Sequence, residues 1–136
     1  MAQIKVGIIG GSGLGDALGE GGEGRRRAVT TPFGTPSDAV LESEWRGVPV
    51  AILNRDGPGH RFGPSNVNYR ANIFALKKLG ITHVIASGAV GSLREAMEPR
   101  HLVICDQVID KTFRRAGTFF DEGIVAHVEF SEPFCP

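Results

Sequence analysis

The middle of the chain, residues 48–80, contains an apolar run, a glycine-rich loop and an amphipathic stretch in that order. The run Val48–Leu53 predicts a buried, central β-strand because nearly all of its side chains are apolar. Apolar residues at helical spacing then predict a helix over about 66–79, with Ser65 as its N-cap. Another apolar run follows at 81–88, so this part of the chain predicts a βαβ unit with parallel strands.

Further apolar runs predict additional strands. Residues 4–9 form one strand, and residues 40–45 form a hairpin with the run at 48–53, with Arg46-Gly47 at the turn. Leu102–Asp110 is also predicted to be a strand. Arg25-Arg26-Arg27 lies in a stretch rich in glycine and charge, which we expect to be an exposed loop. These elements predict an α/β fold.

Composition excludes several classes of protein. The chain has 15 basic and 15 acidic side chains, so its balanced charge argues against a general nucleic-acid binder. No apolar run reaches membrane-spanning length, and residues 1–6 show no signal-peptide pattern, so a soluble cytoplasmic protein is expected. Cys105 and Cys135 make neither a disulfide framework nor a zinc site. Cys105 lies in an apolar run and is expected to be a buried thiol.

Arg55 directly follows the predicted central strand. The carboxyl end of a parallel strand is where α/β sheets bind ligands. A guanidinium suits phosphate because its planar fork can donate two parallel hydrogen bonds. His60 and Arg61 lie in the same loop and add positive potential. The loop therefore predicts an anion site, the alternative being a surface ion pair at Arg55.

Two other strand ends consist of small residues. Gly10-Gly11-Ser12-Gly13 is not a dinucleotide fingerprint, because the third glycine would fall at Asp16. It is either a small anion nest that uses the Ser12 hydroxyl or a plain turn. Ser87-Gly88-Ala89 ends the strand at 81–88 and either lets backbone N–H groups approach a ligand or is a simple strand exit. We expect the three loops to converge on one pocket.

The ordered motifs of the chain resemble the trimeric methylthioadenosine phosphorylases of the purine nucleoside phosphorylase superfamily. The matching stretches are Gly7–Leu14, Thr31–Ala39, Arg55–Ile73, Ala89–Glu95, Asp106–Thr112 and Glu132–Pro136. The resemblance covers the N-terminal half of that family's domain, so residues 1–136 are expected to be a truncated, N-terminal part of a single nucleoside phosphorylase domain. It implies an α/β fold with a mixed, partly parallel central sheet flanked by helices, assembled as a homotrimer.

The resemblance implies phosphorolysis of 5′-methylthioadenosine to adenine and 5-methylthioribose 1-phosphate, in purine and methionine salvage. The phosphate-binding residues that it implies are Ser12, Arg55, Asp56, Gly88 and Ala89. Ser87 would line the substrate, and His127 would reach the neighbouring subunit's site near the 5′ end of the sugar. The sequence alone favours a packed or hydrogen-bonded surface histidine at position 127. Inorganic phosphate is the implied co-substrate, with neither a metal nor an organic cofactor, and no catalytic residue is assigned.

Asp56 departs from the family pattern, which has a histidine at that position. A carboxylate ~4 Å from one phosphate charge costs about 4 kcal/mol at an effective dielectric constant of ~20. Asp56 must therefore turn away, take up a proton or weaken phosphate binding. Two alternative functions stay open: a 6-oxopurine nucleoside phosphorylase, and an inactive truncated remnant that only folds or associates with related subunits.

Overall fold

The computed structural model describes residues 3–11, 13–14, 17 and 24–135. The chain divides into two compact units, with the boundary between Ala89 and Val90. Within the described residues, the first unit carries all of the sheet, whereas the second consists of turns, bends and irregular chain. No helix in these residues has the length and apolar character that crossing a membrane requires.

The first unit is built on a five-stranded mixed sheet. Its strands are β1 (Val6–Gly10), β2 (Arg25–Arg27), β3 (Val40–Trp45), β4 (Val48–Asn54) and β5 (His83–Ala86), in the spatial order β2-β3-β4-β1-β5. β1 runs parallel to both β4 and β5, while β3 is antiparallel to β2 and β4. The expected α/β fold with a mixed, partly parallel sheet is thus confirmed.

The hairpin between β3 and β4 is confirmed as well. Arg46 and Gly47 have φ angles of 50° and 80°, and this pair of positive angles is typical of the tight turns that match the twist of antiparallel strands. β4 occupies the middle of the sheet, where Ala51 and Leu53 are almost completely buried. The strands of the predicted βαβ unit, β4 and β5, are parallel but not adjacent, because β1 lies between them.

Helix α1 (Tyr69–Lys78) connects β4 to β5 and starts later than its apolar pattern predicts. Its N-cap is Asn68, not Ser65. The Asn68 side-chain oxygen accepts from the Ala71 N–H at 3.2 Å, and its amide nitrogen donates to the Phe33 carbonyl at 2.7 Å. Asn68 therefore caps the helix and binds a distant turn with the same side chain.

The core has two apolar clusters: one contains Leu76 of α1, and the other consists of Ile8, Leu41 and Ile52. Leu76 of the helix packs with Val40 and Leu53 of the strands, all of them fully buried. A buried polar pair accompanies this cluster. Asn72 accepts from the Ser37 N–H at 2.8 Å and donates to the Ser37 hydroxyl at 3.0 Å. The pair fixes the turn before β3 to the helix without leaving its polar atoms unsatisfied.

Three predictions about individual segments are wrong. Arg25–Arg27 is not a loop but the edge strand β2, because its backbone pairs with β3 and Arg27 forms an ion pair with Glu42 at 3.2 Å. Leu102–Asp110 is not a strand: within the described residues no neighbouring strand pairs with it, and a strand needs such a partner for its backbone groups. Cys105 is consequently exposed rather than buried.

Candidate functional site

The carboxyl ends of three adjacent strands, β4, β1 and β5, meet at one edge of the sheet. Backbone hydrogen bonds continue the ladder beyond the strands and fix the loops that follow. The Arg55 N–H donates to the Gly10 carbonyl at 2.9 Å, and the Ser87 N–H donates to the Ile9 carbonyl at 3.0 Å. The structure therefore brings the starts of the loops at Gly10, Arg55 and Ser87 together at this edge. The hollow found there is lined by residues of the first two loops and by Asn54, and not by residues 87–89.

The Arg55 side chain lies across these strand ends. Its Nη1 donates to the Ser87 carbonyl at 3.1 Å. An alanine Cβ at position 11 would lie 2.5 Å from Nη2, so the guanidinium occupies space that only a glycine leaves free. The side chain is 31% exposed. Arg55 is thus held against the sheet edge while part of its side chain stays exposed to solvent.

Asp56 faces the guanidinium of its own neighbour in sequence. Arg55 Nε donates to Asp56 Oδ1 at 3.0 Å, and Nη2 donates to Oδ2 at 3.4 Å. The Asp56 side chain is only 15% exposed, and His60 Nδ1 lies 3.7 Å from Oδ2. Asp56 therefore neither turns away from the cationic loop nor stands alone, because it is the counter-ion of Arg55.

A small hollow lies beside this ion pair. It is lined by Gly10, Gly11, Asn54, Asp56, Gly57 and His60. Gly57 has a φ of 73°, which favours glycine, and an added Cβ would come within 3.1 Å of the Phe62 ring and the Ser37 carbonyl. The tight turn at Gly57 thus allows the loop to fold back and bring His60 near Asp56. The hollow is small, and a carboxylate, an imidazole and glycine backbone line it.

The remaining predicted site residues are placed less fully. Ser12 lies outside the described residues. Gly88 lies beside the Arg55 guanidinium, because a Cβ added at Gly88 would be 3.8 Å from Nη1, an ordinary contact distance. Ala89 follows Gly88 and is exposed. His127 belongs to the second unit and is exposed there.

Sequence reasoning missed several parts of the site. The Ser87 carbonyl, not only the N–H groups of its loop, contacts Arg55. Asn54, the last residue of β4, lines the hollow, and its side-chain amide donates to Asp38 at 3.1 Å. The signal available for Asn54 was its position, since a polar residue that ends a central strand lies at the ligand-binding edge.

Sequence comparisons identify the family of this chain and several of its relatives. Residues 5–136 match the family model described as the phosphorylase superfamily. The chain is 53% identical over 133 residues to S-methyl-5′-thioadenosine phosphorylase of Hyperthermus butylicus, covering 98% of this chain and 48% of that protein. It is 50% identical over 136 residues to the protein of the same name from Geobacter sulfurreducens, covering 99% and 47%.

A solved structure of a protein with the same activity in its name is also similar to this chain. The methylthioadenosine phosphorylase of Schistosoma mansoni in complex with adenine superposes with a TM-score of 0.90 at 46% identity. That superposition covers 98% of this chain and 50% of the other. The chain thus spans about half the length of the curated relatives and of this structural neighbour.

Proposed function

The chain belongs to the phosphorylase superfamily, and from that premise we propose that it forms the phosphate-binding half of a methylthioadenosine phosphorylase. The reaction would convert 5′-methylthioadenosine and phosphate into adenine and 5-methylthioribose 1-phosphate. The observation that carries the proposal is Arg55, whose guanidinium lies over Gly11 and donates to the Ser87 carbonyl at the ends of three strands. The relatives quoted above favour 5′-methylthioadenosine over 6-oxopurine nucleosides as the substrate.

Phosphorolysis exchanges one bond for another at the anomeric carbon of the sugar. A phosphate oxygen forms a bond to that carbon while the glycosidic C–N bond breaks, and the purine leaves with the electron pair and takes up a proton at a ring nitrogen. The residues of this chain would hold the phosphate in line for attack. Arg55 would pair with its oxygens, helped by the Ser12 hydroxyl and the backbone N–H groups of Gly88 and Ala89.

Arg55 has hydrogen-bonding capacity left for a phosphate. A guanidinium has five N–H groups. Its hydrogen bonds within the described part of the chain use one N–H at Nε, one at Nη1 and one at Nη2. One N–H therefore stays available on each terminal nitrogen, and these two groups could donate to two phosphate oxygens.

Other parts of the proposal rest on the resemblance of the motifs. They are a cytoplasmic homotrimer that serves purine and methionine salvage, Ser87 beside the sugar, and His127 reaching into the neighbouring subunit's site. Inorganic phosphate is the co-substrate, and the proposal includes neither a metal nor an organic cofactor.

A chimaera tests the proposed function. Residues 1–136 would be joined, at the matching position, to the remaining part of the Geobacter sulfurreducens relative. We expect this protein to release adenine from 5′-methylthioadenosine only when phosphate is present. Arg55→Ala should raise the KM for phosphate, whereas Arg25→Ala, on the exposed edge strand β2, should leave it unchanged.

The intact relative serves as the positive control, and its C-terminal part alone as the negative one. Phosphate-dependent cleavage of inosine without cleavage of 5′-methylthioadenosine would assign the chain to 6-oxopurine nucleosides instead. If the chimaera releases no base under conditions in which the intact relative is active, the proposal is wrong and an inactive remnant is favoured.

A further inference from the structure

Asp56 presents a carboxylate to the hollow beside Arg55. A carboxylate has about four acceptor positions on its two oxygens. Arg55 donates once to Oδ1 and once to Oδ2, while His60 Nδ1, at 3.7 Å, is beyond hydrogen-bond distance. Within the described part of the chain, Asp56, which lines the hollow, therefore retains acceptor capacity.

The charges around this carboxylate decide which anion can approach it. In the described residues, the ionisable side chains in contact with Asp56 are Arg55 and His60. The Asp38 carboxylate accepts a hydrogen bond from the Asn54 amide. Arg55 and Asp56 carry opposite charges, so the carboxylate offsets part of the attraction that the guanidinium exerts on an anion. An oxyanion without a proton meets repulsion from the carboxylate. An oxyanion with an O–H group can donate a charge-assisted hydrogen bond to it instead.

We propose that Asp56 makes this site select protonated oxyanions, phosphate in particular, against sulfate. Near neutral pH both forms of inorganic phosphate carry at least one O–H group, whereas sulfate carries none. Arg55 would donate to the unprotonated oxygens while Asp56 accepts from the protonated one. The inference rests on the proposed phosphate site and adds the residue that determines which anion the site takes.

Calorimetric titration of the 136-residue chain with inorganic phosphate and with sulfate at pH 7 tests the inference. The wild type should bind sulfate about 10- to 100-fold more weakly than phosphate, because a hydrogen bond to a charged group contributes a factor of that size. Asp56→Asn keeps the shape of the side chain but supplies an amide donor, so the ratio of the two affinities should fall toward one. Asp56→Glu, which keeps a carboxylate, should retain the preference for phosphate.

Glu42→Gln is the matched control. It removes the carboxylate of another arginine pair, Arg27–Glu42, on the β2–β3 edge, and should leave the ratio unchanged. Thermal unfolding of each variant verifies that it is folded. Equal affinities for phosphate and sulfate in the wild type would overturn the inference and leave the proposed phosphate site intact.

Two other results would also be decisive. Binding of both anions by Asp56→Asn alone would overturn the inference, because Asp56 would then simply repel every anion. Binding of neither anion by any variant would overturn the proposed phosphate site together with the inference. A preference for phosphate that disappears in Asp56→Asn and persists in Asp56→Glu and Glu42→Gln supports it.

Discussion

Gly11→Ala would place a methyl group where the Arg55 guanidinium lies. The added Cβ would be 2.5 Å from Nη2, 3.1 Å from Cζ and 3.3 Å from Nη1. Restoring ordinary contact distances requires the guanidinium to move by roughly 1 Å. Gly11 is not among the glycines with a positive φ, so alanine adds no backbone strain at this position. The substitution therefore displaces Arg55 without changing its charge.

The displacement breaks the 3.1 Å hydrogen bond from Nη1 to the Ser87 carbonyl. The same movement misplaces the N–H groups that would donate to phosphate; a hydrogen bond to a charged group contributes about 1.5–3 kcal/mol, and the partial exposure of Arg55 favours the lower value. A loss of about 1.5 kcal/mol in the free energy of phosphate binding corresponds to roughly a tenfold rise in Kd. The free energy of unfolding should change much less, because water can replace the Ser87 contact.

Isothermal titration calorimetry with inorganic phosphate measures this effect. Gly63→Ala, in the loop that follows Arg55, is the matched control, since nothing lies within 4 Å of its added Cβ and its φ is not positive. It should bind phosphate as the wild type does. If Gly11→Ala also binds phosphate as tightly as the wild type, the position of the guanidinium over Gly11 plays no part in binding, and the reasoning is wrong.

Two further predictions concern stability and assembly. Asn72→Ala should lower the free energy of unfolding by about 2–4 kcal/mol, because it leaves the buried N–H and hydroxyl of Ser37 without their Asn72 partner. Urea unfolding measures this loss. A loss below about 0.5 kcal/mol, which is the range of ordinary surface substitutions, would contradict the prediction. The second unit exposes large apolar side chains, among them Leu93, Leu102 and Ile104, so the 136-residue chain should self-associate. Sedimentation velocity should show species larger than a monomer that grow with concentration, and a concentration-independent monomer would refute the expectation.

Local signals were sufficient for much of the first unit. The apolar run of β4 predicted the strand, and the Arg46-Gly47 pair predicted the hairpin, because each signal lies within a few neighbouring residues. The start of α1 depended on a distant group, because Asn68 caps the helix while also donating to Phe33. Strand β2 could not be predicted from Arg25–Arg27 alone, since its pairing with β3 defines it.

The apolar run at 102–110 shows the opposite error. Hydrophobicity favours an extended strand, but a strand forms only where a neighbouring strand takes up its hydrogen bonds. Within the described residues that neighbour is missing, and the run is irregular and exposed.

The site was predictable in position but not in its internal contacts. The rule that ligands bind at the carboxyl ends of parallel strands placed Arg55 and Ser87 at one edge. The ion pair between Arg55 and Asp56 depends on side-chain conformation, which a sequence pattern does not determine. The contact between Arg55 and the Ser87 carbonyl depends on the strand order β4-β1-β5, which the local sequence pattern does not determine. The phosphate-site roles of Ser12, Arg55 and Asp56, and the substrate-binding roles of Ser87 and His127, stay predictions.

Calorimetric titration of inorganic phosphate into the wild type, Arg55→Ala and Arg25→Ala tests the central claim most directly. Arg55 lies at the junction of three strand ends, whereas Arg25 lies on the exposed edge strand β2. Arg55→Ala should raise the Kd for phosphate by about tenfold or more, because it removes a charged, two-pronged donor. Arg25→Ala should leave the Kd unchanged. If the two substitutions have equal effects, Arg55 is only a surface charge and the strand-end site does not bind phosphate.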